Sequence, residues 1–166
     1  MFLLLSSNNF AQDTLNYRHY NFGFGVTLLK DYTFYFPIFI TNNIKMEPEL
    51  YYRRDSDPYH DIESTELEIG TGLFYSRQYS QLNIYSGLRA VYSFYNSWEK
   101  YEGIELGPTL GGEYFLAARF SLGTEMQLIY SHHRYSSRND RQVPIKGNTR
   151  SGIWTYAYFI MRVYLF

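Results

Sequence analysis

Ile44-Lys45-Met46-Glu47-Pro48-Glu49-Leu50-Tyr51-Tyr52-Arg53 is the stretch whose reading decides the fold. Its even positions hold Ile, Met, Pro, Leu and Tyr, and its odd positions hold Lys, Glu, Glu, Tyr and Arg. Successive side chains of a β-strand point to opposite faces, so a period of two predicts a strand with one apolar and one charged face. A helix would scatter the same charges round its circumference.

The alternation extends in both directions. Upstream, Tyr20, Phe22, Phe24, Val26 and Leu28 alternate with His19, Asn21, Gly23, Gly25 and Thr27. After a turn at Lys30-Asp31, Tyr32, Phe34, Phe36, Ile38 and Ile40 alternate with Thr33, Tyr35, Pro37 and Phe39. Downstream, the apolar sets are Leu67 to Tyr75, Leu82 to Phe94, Ile104 to Tyr114 and Phe120 to Tyr130, each interleaved with Gly, Glu, Ser, Thr, Asn or Arg. A last strand runs to Phe166, with Arg162 on its polar face and Phe159, Met161, Val163 and Leu165 on its apolar one. Eight strands in sequential order predict an all-β, eight-stranded antiparallel up-and-down barrel. The connections 41–43, 76–80 and 116–118 are short, whereas 54–63, 95–102 and 132–150 are longer and polar. Several strands approach the roughly 9 to 11 residues that a tilted strand needs to cross a bilayer, and short turns at one end with long loops at the other are the asymmetry of an outer-membrane barrel.

Composition agrees. The 166 residues are 45% hydrophobic, 20% aromatic and 19% charged, enough for one domain. With 19 Tyr, 13 Phe and 2 Trp the chain is too apolar for disorder, and with no cysteine it has neither a disulfide framework nor a Cys-based zinc site. No window reaches the roughly 20 apolar residues of a membrane helix, and a net charge of −1 supplies no field for nucleic acid. Volume then chooses the inner face. The interior of an eight-stranded barrel is just wide enough for side chains to fill, so the bulky parity belongs outside, in lipid. The parity bearing Gly23, Gly25, Gly70, Gly72, Gly87, Gly107, Gly111 and Gly123 belongs inside. Phe2 to Leu5 followed by a polar stretch reads as a signal remnant ending at Ala11, which leaves 12–166 as the barrel domain.

The chain from about Asn16 to Phe166 resembles the small outer-membrane β-barrel family of the OmpA and OmpX transmembrane-domain type, within the broader porin-like group. The resemblance is carried by Asn43-Ile44-Lys45-Met46-Glu47-Pro48-Glu49-Leu50, by Gly111-Gly112-Glu113-Tyr114-Phe115 with Phe120-Ser121-Leu122-Gly123-Thr124-Glu125, and by Tyr164-Leu165-Phe166. It implies a monomer in the bacterial outer membrane, both termini periplasmic, among outer-membrane lipid and lipopolysaccharide. It also implies that the terminal aromatic Phe166 is read by the barrel-assembly machinery, although Arg162 stands where that signal usually carries an apolar residue.

On this parity the inward charges are Glu47, Glu49, Glu66, Glu68, Glu105, Glu113 and Glu125 against Lys45, Arg53, Arg89 and Arg162. Carboxylates in such numbers suit acid-base chemistry or a cation path. They equally suit a lumen-filling network, since buried charge is tolerated when paired, and the network is the reading preferred here. Arg89 is expected between Glu68 and Glu105. Ser131-His132-His133 invites comparison with a nucleophile and base, but adjacent residues on a strand point to opposite faces, so at most one His can serve. The acidic stretch Asp55 to Glu63 lacks the glycine and the terminal-glutamate spacing of a calcium loop. Arg134, Arg138, Arg141, Lys146 and Arg150 make the longest loop basic, facing an anionic lipopolysaccharide coat. The expected function is structural or surface-interacting, without cofactor, metal or catalysis. A narrow pore is the alternative and a lipid-modifying enzyme the third.

Overall fold

The computed structural model describes residues 22–28, 32–57, 62–97, 99–138 and 144–165. The expected leader, the turn residues Lys30 and Asp31, the loop residue Arg141 and the terminal Phe166 lie outside them. The strands are β1 (Gly23–Leu28), β2 (Thr33–Tyr35), β3 (Ile38–Phe39), β4 (Ile44–Asp57), β5 (Ile62–Tyr79), β6 (Leu82–Asn96), β7 (Glu99–Ala117), β8 (Phe120–Arg138) and β9 (Pro144–Tyr164). All pairings are antiparallel between sequential neighbours, β9 returns to β1, and β2 pairs β4 to complete the ring.

β2 and β3 occupy one position in that ring, so the barrel has eight strands, as the alternation predicts. The expected single strand 32–40 is broken at Phe36-Pro37, and prolines explain the break. Pro37 has no N–H to donate, and Pro48 on the facing strand has none either. One bond remains between them, from the Phe36 N–H to the Pro48 carbonyl at 2.9 Å, while the Pro37 carbonyl is used by the Gly23 N–H at 2.9 Å.

Following paired residues from Gly25 through Tyr35, Glu49, Gly70, Val91, Glu105 and Ser131 arrives on β9 at Gly152. Gly25 itself pairs with Arg162, ten residues away. That stagger is the shear that tilts the strands of a closed barrel.

The connections differ from expectation at both ends. The turns 76–80 and 116–118 give way to Ser80-Gln81 and Ala118-Arg119, with Ser80 at a φ of 53°. The long loops are largely strand: β4 runs to Asp57, β6 to Asn96 and β8 to Arg138, and each meets its partner within a few residues. Once both faces of a hairpin are in water, apolar alternation has no function, so strand and loop look alike in composition. The end bearing Ser80-Gln81 and Ala118-Arg119 is called the turn end below, and the other the loop end. β1 starts and β9 finishes at the turn end, where Gly23 pairs with Tyr164.

Inward and outward faces follow the sequence parity throughout. Leu73, Leu88, Leu106, Leu110 and Met126 each expose half or more of their surface outward, while Lys45, Glu47, Arg89, Glu113 and Arg162 are buried inside. The last strand takes the expected register: Arg162 points inward, and Phe159, Val163 and Leu165 point out.

Candidate functional site: the charged lumen

Seven charged side chains fill the turn-end half of the lumen. Glu47, from the middle of the charged face of β4, is their hub. The Arg162 guanidinium grips it in two places, Nε to Oε2 at 2.9 Å and Nη2 to Oε1 at 3.0 Å. Arg89 Nη2 reaches the same Oε1 at 2.9 Å, and Lys45 Nζ lies 3.3 Å from Oε2. Arg89 also binds Glu49, and lies 3.0 Å from Glu125. Arg162 lies 3.5 Å from Glu113. Three cations therefore meet four carboxylates, all buried, and such a set is tolerable because the charges are paired and further lone pairs of Glu113 and Glu125 are also used.

Neutral side chains on the same inward parity use them. Glu113 accepts bonds from Asn83 at 2.8 Å, Ser121 at 2.8 Å and the Tyr164 hydroxyl at 2.8 and 3.0 Å. Glu125 accepts from Tyr85 at 3.0 Å and Gln127 at 2.6 Å. Lys45 lies over the Tyr85 ring, 3.7 Å from its centre, with Phe74 at 5.2 Å. These rings need room: a Cβ at Gly111 would collide with Tyr85, and one at Gly72 with Phe74. The lumen glycines thus make space for the aromatic packing of the cations.

Toward the loop end the lining of the lumen changes character. The Tyr101 hydroxyl donates to Glu66 at 2.7 Å, and Ser93 donates to Glu68 at 3.4 Å. His133 Nε2 lies 3.5 Å from Glu105, both partly exposed. Tyr101 stacks on Tyr95 with ring centres 4.9 Å apart and tilts against Tyr135 at 5.6 Å. Burial, followed by the neighbouring Glu66 carboxylate, pushes the Tyr101 hydroxyl well above the ordinary tyrosine range, so it remains a donor.

Of the residues singled out in the sequence, Lys45, Glu47, Glu49, Arg89, Glu113, Glu125 and Arg162 come together as one network. Glu68 and Glu105 do not join it. Arg89 is inside, as expected, but not between those two glutamates. Because β5 continues to Tyr79 before turning, Arg89 pairs with Gly72 and Glu68 with Ser93. On the other side Arg89 faces Gly107, two residues from Glu105, and its guanidinium turns away toward Glu47, Glu49 and Glu125.

The basic patch is divided as well. Arg134 pairs with Thr149 and Arg150 with His133, so the two arginines lie on opposite faces of a hairpin. Arg138 and Lys146 belong to β8 and β9, and Arg141 lies outside the described residues. His132 and His133 also take opposite faces, His132 bonding Ser151 at 2.8 Å. Ser131 is engaged by the Trp154 indole N–H at 3.0 Å and bonds the Gly152 carbonyl. Sequence reasoning passed over Tyr85, Asn83, Ser121, Gln127 and Tyr164 as network members. Their signal was present, since each sits on the parity that bears the charges.

The chain matches no family model, no curated protein and no solved structure. Its functional reading rests on its own geometry.

Proposed function

We propose that this protein is an integral outer-membrane barrel of the small OmpA and OmpX type, its lumen closed by the charge network and its protruding hairpins serving as an interaction surface. The observation that carries the reading is the inversion of faces. The inside holds paired ions, and the outside presents a predominantly apolar band. Tyr52, Tyr92 and Tyr130 stand at the loop end of this band and Tyr75, Tyr79 and Tyr114 at its turn end. Monomeric soluble proteins rarely expose contiguous apolar patches beyond a few hundred Å², whereas an apolar band with aromatic girdles suits a bilayer. A closed ring also pairs the strands of the wall with one another, as a medium without water requires. The start of β1 and the end of β9 at the turn end fit a periplasmic location for that end, and the loop-end hairpins then face lipopolysaccharide.

The test is refolding. The chain should require detergent or lipid to reach a compact, heat-modifiable state, and a monodisperse folded sample in plain buffer would overturn the membrane assignment. A second reading, a narrow cation pore, is favoured by the three glutamates at the mouth and the surplus carboxylate in the network. Reproducible single-channel conductance in a planar bilayer would support it, and silence would support the closed lumen.

A further inference from the structure

Three tyrosines stand in a row across the inner wall at the loop end. Tyr95 of β6 is directly opposite Tyr101 of β7, and Tyr101 is directly opposite Tyr135 of β8. Residues so placed are the closest side-chain neighbours that two strands have. The two contacts differ in geometry. The Tyr95 and Tyr101 rings lie 4.9 Å apart and almost parallel, at 11°. Tyr135 is tilted to Tyr101 by 47° with centres 5.6 Å apart, and His133 stands edge-on to it at 87°. Tyr101 is therefore held from the side by His133 and Tyr135 while its face lies against Tyr95.

This pair combines three features that oxidative coupling of phenols needs. A phenol that loses an electron becomes a strong acid, so oxidation is easiest where a base already holds the hydroxyl proton. The Tyr101 hydroxyl donates to the Glu66 carboxylate at 2.7 Å. A tyrosyl radical carries spin on its oxygen and on the ring carbons beside the hydroxyl-bearing one, so two such radicals in face contact can join through those carbons. Finally, Tyr95, Tyr101 and Glu66 are all partly exposed, which a small oxidant in water can reach. Tyr85 and Tyr164 also donate to glutamates, Glu125 and Glu113, but both are buried. The chain has no cysteine to consume the oxidant first.

We propose that Tyr95 and Tyr101 form a modification site, where haem-activated hydrogen peroxide joins the two rings into a dityrosine that ties β6 to β7 at the loop end. Each phenol gives up one electron and one proton, and Tyr101 hands its proton to Glu66, which passes it to water. The two radicals form one carbon–carbon bond, and the hydrogens on the joined carbons move to the oxygens and restore both phenols. One peroxide is reduced to two waters, and the chain loses two hydrogens. The site goes beyond the membrane reading and does not depend on it, because the pair is partly exposed whether detergent or water surrounds the barrel.

The test treats the full chain, refolded in detergent, with hydrogen peroxide and a small haem peptide, and then digests it with trypsin, which cuts after Lys100 between the two tyrosines. The expected product is a pair of peptides joined at Tyr95 and Tyr101, lighter by two hydrogens than their sum and showing dityrosine fluorescence. Tyr95→Phe and Tyr101→Phe should each abolish it, whereas Tyr114→Phe on the outer face should leave it unchanged. Glu66→Gln should slow coupling about a hundredfold, and acetate in solution should restore part of the rate, which a merely structural role for Glu66 would not allow. Heat-modifiability of each variant, read before oxidation, shows that it is folded. Linkage of Tyr101 to Tyr135, linkage between two chains, or an unchanged yield in Tyr101→Phe would overturn the proposal. An equal rate in Glu66→Gln, or an equal yield from the chain unfolded in denaturant, would overturn it too, because the folded geometry would then contribute nothing.

Discussion

At the turn end of the lumen Glu113 accepts bonds from Asn83, Ser121 and Tyr164 and faces Arg162, whereas at the loop end Glu66 takes a bond from Tyr101 and Glu68 one from Ser93. Both regions are written with glutamates on one parity of long strands. In the lower region each carboxylate has a cation within reach, and Glu113 and Glu125 also take bonds from neutral donors. In the mouth the carboxylates outnumber the cations, and water is available to the half-exposed groups. The difference shows that parity decides only whether a charge faces the lumen. Depth decides whether it must be paired.

Removing the hub should break this comparison most severely. Glu47→Ala leaves Lys45, Arg89 and Arg162 with a lost common partner in a buried site, and should cost about 3–5 kcal/mol in denaturant unfolding from lipid. Glu66→Ala at the mouth should cost less than about 1 kcal/mol, because a partly exposed charge gains little from its neighbours. Comparable losses at the two positions would show that the mouth is as dry as the lower network.

The outer face offers the next largest effect. Leu110 lies in the middle of the apolar band of β7, and Leu110→Arg should destabilise by about 2–4 kcal/mol if the band sits in a bilayer. The same substitution measured in detergent and in vesicles sharpens the point, since a cost confined to vesicles is a lipid cost and not a folding one.

The face of nearly every strand residue was legible in the sequence, down to the inward Arg162, because a period of two admits just two registers and charge chooses between them. The network partners were less legible. Which charges meet depends on the turn centres, and a shift from 76–80 to Ser80-Gln81 moved Arg89 away from Glu68. The broken wall at Phe36-Pro37 was marked by its proline, but the height of each hairpin was not, because composition does not distinguish a solvated strand from a loop.

The finest comparison makes one chemical change at two depths. Tyr164 and Tyr101 each donate a hydroxyl to a glutamate, the first to buried Glu113 and the second to Glu66 at the mouth. Tyr164→Phe leaves one acceptor position of Glu113 empty where water has no ready access, since Tyr164 is 0% exposed. A bond to a charged group is worth about 1.5–3 kcal/mol, and an unfilled buried partner keeps the variant near that range. Tyr101→Phe removes the same kind of bond, but water can replace the lost donor and the ring retains its stacking on Tyr95. Its cost should therefore fall to about 0.5–1 kcal/mol. Unfolding of both variants in the same lipid gives the difference directly. If Tyr101→Phe costs as much as Tyr164→Phe, the mouth excludes water, and the distinction between a packed lower lumen and a wet upper one fails.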